Sequence, residues 1–176
     1  YQEAVRLWQD TVAKWPANGR AWNNLGLALS AAGRHEEAMD VCLETVKRDP
    51  FLAETFNNLG NAYCNVGRHE ESLPHYRRAI QLNPAYAAPY SNYAAALSKL
   101  GRHEEALAQH EIAVRLNPDS AEAHFNAAGT LLALRRIEES LPYLRRAVQL
   151  KPDYLEAYNK MGNALRELGR WDEAVA

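Results

Sequence analysis

Large apolar residues recur at steps of three and four along successive stretches of this chain. Trp22, Leu25 and Leu29 form one such stripe, and Phe56 and Leu59 begin the next. Steps of three and four place side chains on one face of an α-helix, so each stretch predicts an amphipathic helix with one buried side. The pattern therefore predicts an all-α chain whose helices bury their apolar faces against one another.

The helices belong to an internal repeat with a period of 34 residues. The string Gly-Arg-His-Glu-Glu occurs at 33–37, 67–71 and 101–105, with degenerate copies at 135–139 and 169–173. Prolines keep the same step, at Pro16, Pro50, Pro84, Pro118 and Pro152. A glycine that stops a first helix and a proline that stops a second helix predict one helical hairpin per repeat.

Small residues lie inside the apolar stripes of the first helices. One stripe reads Trp22, Leu25, Gly26, Leu29, and the next reads Phe56, Leu59, Gly60, Tyr63. A glycine in a helix interior costs roughly 1 kcal/mol relative to alanine, so a packing reason is expected. Gly26 and Gly60 therefore predict a close approach by the second helix of the hairpin.

With each proline at the last motif position, these residues follow the tetratricopeptide motif, and the whole chain resembles the tetratricopeptide repeat family. The resemblance implies a right-handed α-solenoid of antiparallel helix hairpins. The repeats are a partial one at 1–16, complete ones at 17–50, 51–84, 85–118 and 119–152, and a partial one at 153–176. Because solenoids need polar capping units and neither end has one, we expect a fragment of a longer array or protein.

Three positions depart from the repeat pattern. Arg135 stands where other copies have glycine, which predicts different backbone chemistry in that turn. Pro74 and Pro142 lie inside second helices, where each removes one hydrogen bond. Polar residues just after three of the prolines are predicted to cap the next first helix: Asn18, Asp119 and Asp153.

Composition and charge exclude several classes of partner. The net charge is −2, from 20 basic and 22 acidic residues, so we expect no binding to nucleic acid or to an anionic membrane surface. No run of 18 apolar residues suggests a membrane span in this segment. Cys42 and Cys64 lack zinc-binding spacing and are expected to be free thiols, which favour the cytoplasm. A periplasmic or lumenal location is the alternative if the segment belongs to a membrane glycosyltransferase.

The residues that could carry catalysis do not converge. His35, His69 and His103 share one repeat position, and equivalent positions in stacked hairpins lie roughly 8–10 Å apart. Zinc needs its ligand nitrogens about 2 Å from one centre, so these histidines are expected to pack. The sequence has no phosphate-binding glycine loop, nucleophile elbow or H-E-x-x-H motif. We therefore expect no enzyme activity, no cofactor and no metal.

Asparagines recur at the sixth motif position of the first helices, away from the buried stripe. The series is Asn24, Asn58, Asn92 and Asn126, with Asn23, Asn57 and Asn61 close by in sequence. A carboxamide matches a peptide C=O and N–H, and rungs about 10 Å apart match three residues of an extended chain at roughly 3.3 Å each. These amides therefore predict a ladder on the concave face that holds an extended polypeptide by its backbone. Alternatively, they bond only to neighbouring helices.

This series resembles the asparagine ladder in the tetratricopeptide superhelix of O-GlcNAc transferase. Phe125, Lys99 and Arg20 are further candidate peptide contacts, and Phe125 suits either anchoring a ligand side chain or plain packing. The leading interpretation is a protein- or peptide-binding scaffold. One alternative is the substrate-presenting arm of a larger glycosyltransferase, since residues 1–12 are similar to the segment after the membrane region of such enzymes. The other is a structural array that self-associates end to end.

Overall fold

The computed structural model describes residues 1–170 and residue 172, which form ten α-helices and no strand. The helices are α1 (Gln2–Lys14), α2 (Gly19–Ala31), α3 (His35–Arg48), α4 (Ala53–Asn65), α5 (His69–Leu82), α6 (Ala87–Lys99), α7 (His103–Leu116), α8 (Ala121–Ala133), α9 (Ile137–Leu150) and α10 (Leu155–Glu167). None of these helices is long and apolar enough to cross a membrane. In the last repeat copy, Trp171 and Glu173 lie outside the described residues.

The chain divides into two compact units, residues 1–96 and residues 97–176, with the boundary inside α6. In unit 1, α1, α2, α3, α4 and α5 pack in chain order, and the first helices α2 and α4 also contact each other. In unit 2, α7, α8, α9 and α10 pack in chain order. Each unit is a stack of helical hairpins, which confirms the predicted all-α solenoid class.

A residue with a left-handed backbone conformation follows the first helix of each hairpin. Gly33 and Gly67 have φ angles of 75° and 79° in unit 1, and Gly101 has 76° in unit 2. Arg135 has a φ of 62°, so its hairpin turns through the same conformation, and the prediction of a different turn was wrong. A residue with a Cβ costs roughly 1 kcal/mol or more in this conformation. Unit 2 therefore holds one strained turn that unit 1 does not have.

Glycines in the first helices of unit 1 allow the second helices to approach closely, as predicted. A methyl group on Gly60 would lie 2.6 Å from Cε1 of Tyr76, and one on Gly26 would lie 3.0 Å from Sγ of Cys42. The Tyr76 side chain is 1% exposed, so its ring fills the space above Gly60. Real Cβ atoms do not approach other heavy atoms this closely, and Gly60 is therefore required while Tyr76 is its partner.

The turn between repeats is fixed by hydrogen bonds to the carbonyl oxygens of the repeated prolines. In unit 1, Nε1 of Trp22 donates to the Pro16 oxygen at 2.9 Å. In unit 2, Nε2 of His124 lies 2.9 Å from the Pro118 oxygen. Because a carbonyl only accepts, His124 must carry its proton on Nε2. These bonds set the direction in which each first helix leaves the preceding turn.

The caps of the first helices agree only in part with the sequence prediction. Asn18 caps α2 through its side chain, which accepts from a backbone N–H of the first turn. Asp119 was a wrong prediction, because Ser120 caps α8 one residue later. Asp153 was also wrong, because Tyr154 occupies the N-cap of α10 and makes no side-chain cap bond. The cap therefore depends on which residue occupies the N-cap position after the proline. A shift of one residue along the chain changes the side chain that reaches the free backbone N–H groups of the helix.

Candidate functional site

Two sixth-position asparagines of unit 1 bond to the first helix of the preceding repeat. Nδ2 of Asn58 on α4 donates to Oδ1 of Asn23 on α2 at 2.8 Å. Nδ2 of Asn92 on α6 donates to Oδ1 of Asn57 on α4 at 2.9 Å. The same contact is therefore made twice: a sixth-position amide donates to the fifth-position amide one repeat earlier.

The fifth-position amides lie inside the interface between first helices. Asn23 is 8% exposed and Asn57 is 4% exposed. Oδ1 of Asn23 also accepts from Oγ1 of Thr55 at 3.4 Å. Predicted as peptide contacts, Asn23 and Asn57 are placed instead as buried acceptors that hold the next amide in position. A buried amide oxygen left without a donor would cost about 1–3 kcal/mol, so these bonds also stabilise the stack.

The sixth-position amides keep part of their hydrogen-bonding capacity. Asn58 and Asn92 are half-buried, and each uses one N–H for the bond to the preceding helix. A carboxamide has two N–H donors and one oxygen acceptor. Among the described residues, nothing bonds to the second N–H or to Oδ1 of either side chain. Each amide is tethered by one bond and retains a donor and an acceptor.

Asn61 belongs to a polar cluster within its own hairpin. Its Oδ1 accepts from the hydroxyl of Tyr76 at 2.8 Å, and the same hydroxyl lies 3.5 Å from Sγ of Cys64. Sγ of Cys64 in turn lies 3.2 Å from Oγ of Ser72. Burial, followed by the bond to Cys64, raises the pKa of Tyr76, so the phenol stays protonated and donates. Asn61 is half-buried and is oriented by its own second helix.

The remaining candidates in the first helices differ in exposure. Asn24 is half-buried, and its side chain bonds to none of the described residues. Arg20 at the start of α2 and Lys99 at the end of α6 are exposed. Leu27, which the sequence analysis did not select, is 47% exposed on α2. In the sequence, Leu27 is an apolar residue on a face of α2 that is otherwise polar. This pattern could have indicated an exposed apolar side chain.

In unit 2, an aromatic residue takes the fifth position. Phe125 is half-buried, packs against the core cluster around Ala128 and Leu144, and its ring lies 4.8 Å from that of Tyr154. Nζ of Lys160, at the sixth position of α10, lies 5.3 Å from the centre of the Phe125 ring. The fifth-to-sixth-position contact of unit 1 is therefore repeated here as a cation–π pair. Lys160 occupies the position at which the next asparagine of the 34-residue series would stand.

Asn126 shows what happens to a sixth-position amide in unit 2. Its side chain is exposed, and among the described residues it has no hydrogen-bond partner. The four sixth-position asparagines therefore do not form one uniform set. Asn58 and Asn92 are tethered, Asn24 is half-buried without a tether, and Asn126 is exposed.

The buried titratable groups serve the core. Burial raises the pKa of the Cys42 thiol to about 12 and lowers the pKa of His110 to about 4. Cys42 is thus a protonated, unreactive thiol, and His110 is a neutral imidazole at neutral pH. Within residues 1–170 and residue 172, no three histidine, cysteine or acidic side chains are placed to hold a metal ion.

Solved structures with the same architecture include several repeat proteins. MamA from Desulfovibrio magneticus RS-1 matches with 19% identity and a TM-score of 0.79, covering 89% of this chain and 89% of that one. YrrB, described as a TPR protein with an unusual peptide-binding site, matches with 22% identity and a TM-score of 0.72, covering 90% and 81%. The first TPR of Spaghetti (RPAP3), bound to an HSP90 peptide, matches with 24% identity and a TM-score of 0.65, covering 67% and 96%. These likenesses show the fold. No curated protein matches this chain significantly.

Family models match along the chain. One tetratricopeptide repeat model matches residues 1–53 and 93–154, a second matches residues 51–119, and a third matches residues 155–176. The 34-residue period, the left-handed turns and the hairpin packing described above agree with these matches. The chain therefore belongs to the tetratricopeptide repeat family.

Proposed function

We propose that this chain is a protein- or peptide-binding scaffold whose first-helix face in unit 1 holds an extended polypeptide by its main chain. The observation that supports this proposal is the state of Asn58 and Asn92. Each amide is fixed by one hydrogen bond to a buried neighbour and retains one N–H and one carbonyl oxygen. The proposal includes the similarity of these asparagines to the asparagine ladder of O-GlcNAc transferase.

The free groups of the amides match the chemistry of a polypeptide backbone. One N–H and one C=O per rung complement one C=O and one N–H of an extended chain. Neighbouring first helices lie roughly 10 Å apart, which corresponds to three extended residues at about 3.3 Å each. A ladder of this kind reads the main chain, so we expect it to bind peptides of varied sequence with modest affinity.

The tether to the preceding helix lowers the cost of binding. A free asparagine side chain loses rotamer freedom when a ligand fixes it, at a cost of about 0.5–1.5 kcal/mol for each immobilised side chain. Asn58 and Asn92 are already held by Asn23 and Asn57 before any ligand arrives. The buried fifth-position amides therefore contribute to binding indirectly, by positioning the sixth-position amides.

Two proteins of the same fold support a peptide ligand by analogy. YrrB is described as having an unusual peptide-binding site, and the first TPR of RPAP3 is described as bound to an HSP90 peptide. At 22% and 24% identity, the analogy concerns the class of ligand and not its sequence. We place no catalytic step in this segment.

A neutral, unstructured peptide provides the test. We would use a fluorescent peptide of Ser, Thr, Ala and Val, about twelve residues long, which spans roughly 40 Å when extended. The double variant Asn58→Ala/Asn92→Ala removes two rungs, and fluorescence anisotropy should show about tenfold weaker binding, because each rung contributes about 0.5–1.5 kcal/mol.

The matched control makes the same chemical change outside the first helices. Asn117→Ala lies in the turn after α7, where Asn117 is the C-cap residue with a negative φ, and it should leave the affinity unchanged. Circular dichroism of each variant checks that it remains helical at the assay temperature. Equal affinities for the double variant and the wild type, or no binding of the peptide to the wild type, would refute the proposed ladder.

A further inference from the structure

We propose that unit 2 is built to loosen in mild acid, at the buried imidazole of His110 on α7. The proposal concerns the fold of the chain and does not depend on a ligand. Equivalent motif positions in unit 1 hold Cys42 and Tyr76. A thiol and a phenol are already neutral at neutral pH and take up no proton in acid, so the proposed response is specific to the His110 position.

The ring of His110 lies in the core of unit 2 without a partner for a second proton. The residue is 2% exposed, and in the described part of the chain nothing bonds to its buried Nδ1. A neutral imidazole keeps one ring nitrogen as an acceptor, whereas an imidazolium needs an acceptor for each of two N–H groups. A protonated ring would therefore bury a charge together with an unsatisfied donor, unless the packing around α7 opens.

The titratable residues of α8, which packs against α7, do not supply a counter-charge. Glu122 is exposed and interacts with Tyr154. His124 directs its Nε2 to the carbonyl oxygen of Pro118 at 2.9 Å. The acidic side chain of α8 is therefore used elsewhere, and its imidazole carries no negative charge.

The carboxylates of α7 itself interact with arginines. Glu105 accepts from Nε of Arg102 at 2.7 Å, and Glu104 lies 3.5 Å from Arg136. Glu111 also acts on Arg136. The remaining charged residues on α7 and just before it in unit 2 are paired or exposed: Arg102, Lys99 and Arg115.

Burial alone, with no contribution from a charged group, lowers the pKa of His110 to about 4. Its ordinary pKa in an unfolded chain is about 6.5. As the pH falls from 6.5 toward 4, an open form takes up the proton and the closed form does not, so the stabilisation present above pH 6.5 is progressively lost. For these two pKa values, the equilibrium constant for opening at His110 rises about twentyfold between pH 7 and pH 5.

The interval from pH 7 to pH 5 separates histidine titration from carboxylate titration. Hydrogen bonds from Arg102 and Arg136 lower the pKa of Glu105 and Glu139, so these carboxylates stay ionised throughout the interval. A loss of protection in this interval therefore reports on imidazole groups.

Hydrogen–deuterium exchange of the full chain, resolved by peptide mass spectrometry at pH 7 and pH 5, measures opening in each unit. After correction for the intrinsic pH dependence of exchange, amides of α7 and α8 should show about a twentyfold rise in the opening constant. Amides of α2 and α3, where Cys42 holds the equivalent position, should change much less. His110→Leu introduces the residue that stands at the equivalent position of α9 and takes up no proton, so the ratio of the two opening constants in α7 and α8 should fall to about one.

His75→Gln is the control in unit 1. His75 stacks on Tyr63 with 5.0 Å between the ring centres, and burial lowers its pKa as well, but this variant keeps His110 and should keep the response of α7 and α8. Circular dichroism checks that each variant is helical, and His110→Gln takes the place of His110→Leu if the leucine variant is unfolded. Equal opening constants of α7 and α8 at the two pH values in the wild type, or a rise that persists without His110, would overturn the proposal. Loss of the response in His75→Gln would overturn its assignment to His110.

Discussion

The hairpin α4–α5 of unit 1 and the hairpin α8–α9 of unit 2 have the same length but solve the same packing problem differently. Both pair a helix of 13 residues with one of 14 residues. At the closest approach, unit 1 combines Gly60 with Tyr76, whereas Ala128 and Leu144 occupy the equivalent motif positions in unit 2. A larger residue on one helix is offset by a smaller one on the other. These two hairpins keep a similar combined volume at this contact with different residues on both helices.

The two hairpins also differ at the turn and at the contact between first helices. Gly67 and Arg135 have similar positive φ values of 79° and 62°, so the backbone conformation of the two turns is the same. The turns differ in the conformational energy that this φ costs a residue with a Cβ. Asn57 accepts a hydrogen bond from the next first helix, and Phe125 accepts a lysine over its ring. The fold therefore fixes where the contacts occur, and the side chains decide whether each contact depends on volume, strain or charge.

The largest expected effect concerns the pair Gly60 and Tyr76. Gly60→Ala should lower the free energy of unfolding by about 2 kcal/mol, because the new methyl group overlaps the buried Tyr76 ring. Adding Tyr76→Leu converts the pair to the alanine–leucine combination of unit 2. We expect the double variant to lose less unfolding free energy than the two single variants lose in total, as measured by equilibrium urea unfolding.

Ala128→Gly is the matched control for this pair in unit 2. It should cost about 1 kcal/mol, the usual helix penalty of glycine, with a small added loss of contact to Leu144. Strict additivity of Gly60→Ala and Tyr76→Leu would show that the two residues do not share one volume, and the comparison between the hairpins would fail.

A smaller effect is expected at the strained turn. Arg135→Gly should raise the free energy of unfolding by about 1 kcal/mol, since glycine adopts a φ of this sign without a Cβ clash. Thermal and urea unfolding measure this gain. Arg135→Ala is the control, because it removes the ion pair to Glu167 but keeps the strain. If the alanine variant gained as much as the glycine variant, the side chain and not the backbone conformation would be responsible.

Two further effects, the second of them the smallest, separate the two contacts between first helices. A double-mutant cycle with Asn57→Ala and Asn92→Ala should give a coupling energy of about 1 kcal/mol, typical of a partly buried hydrogen bond. The corresponding cycle with Phe125→Leu and Lys160→Ala should give about 0.5 kcal/mol, typical of a partly exposed cation–π pair. Urea unfolding supplies both energies. A coupling of zero in the second cycle would mean that Lys160 is held by something other than the ring.

The sequence predicted the hairpins because a period of 34 residues with fixed glycines and prolines constrains the backbone directly. It did not predict that Asn23 and Asn57 are buried, because a helical wheel places a residue relative to its own helix and not relative to the next repeat. The same limit explains Ser120, which caps α8 in place of Asp119: capping depends on a backbone angle at one residue. The cation–π contact between Lys160 and Phe125 depends on how two helices pack, which their positions in the sequence do not give.

The hydrogen bonds from Asn58 to Asn23 and from Asn92 to Asn57 join equivalent positions of neighbouring repeats. This pattern does not depend on the number of repeats in the chain. Removing residues 51–84 would bring Asn92 next to Asn23, and the donor and acceptor would still correspond. Removing a segment shorter than the 34-residue repeat would move the donor amide away from its acceptor and would also disrupt the turn between the helices. Gain or loss of one whole repeat would therefore keep the donor of each such hydrogen bond opposite an acceptor.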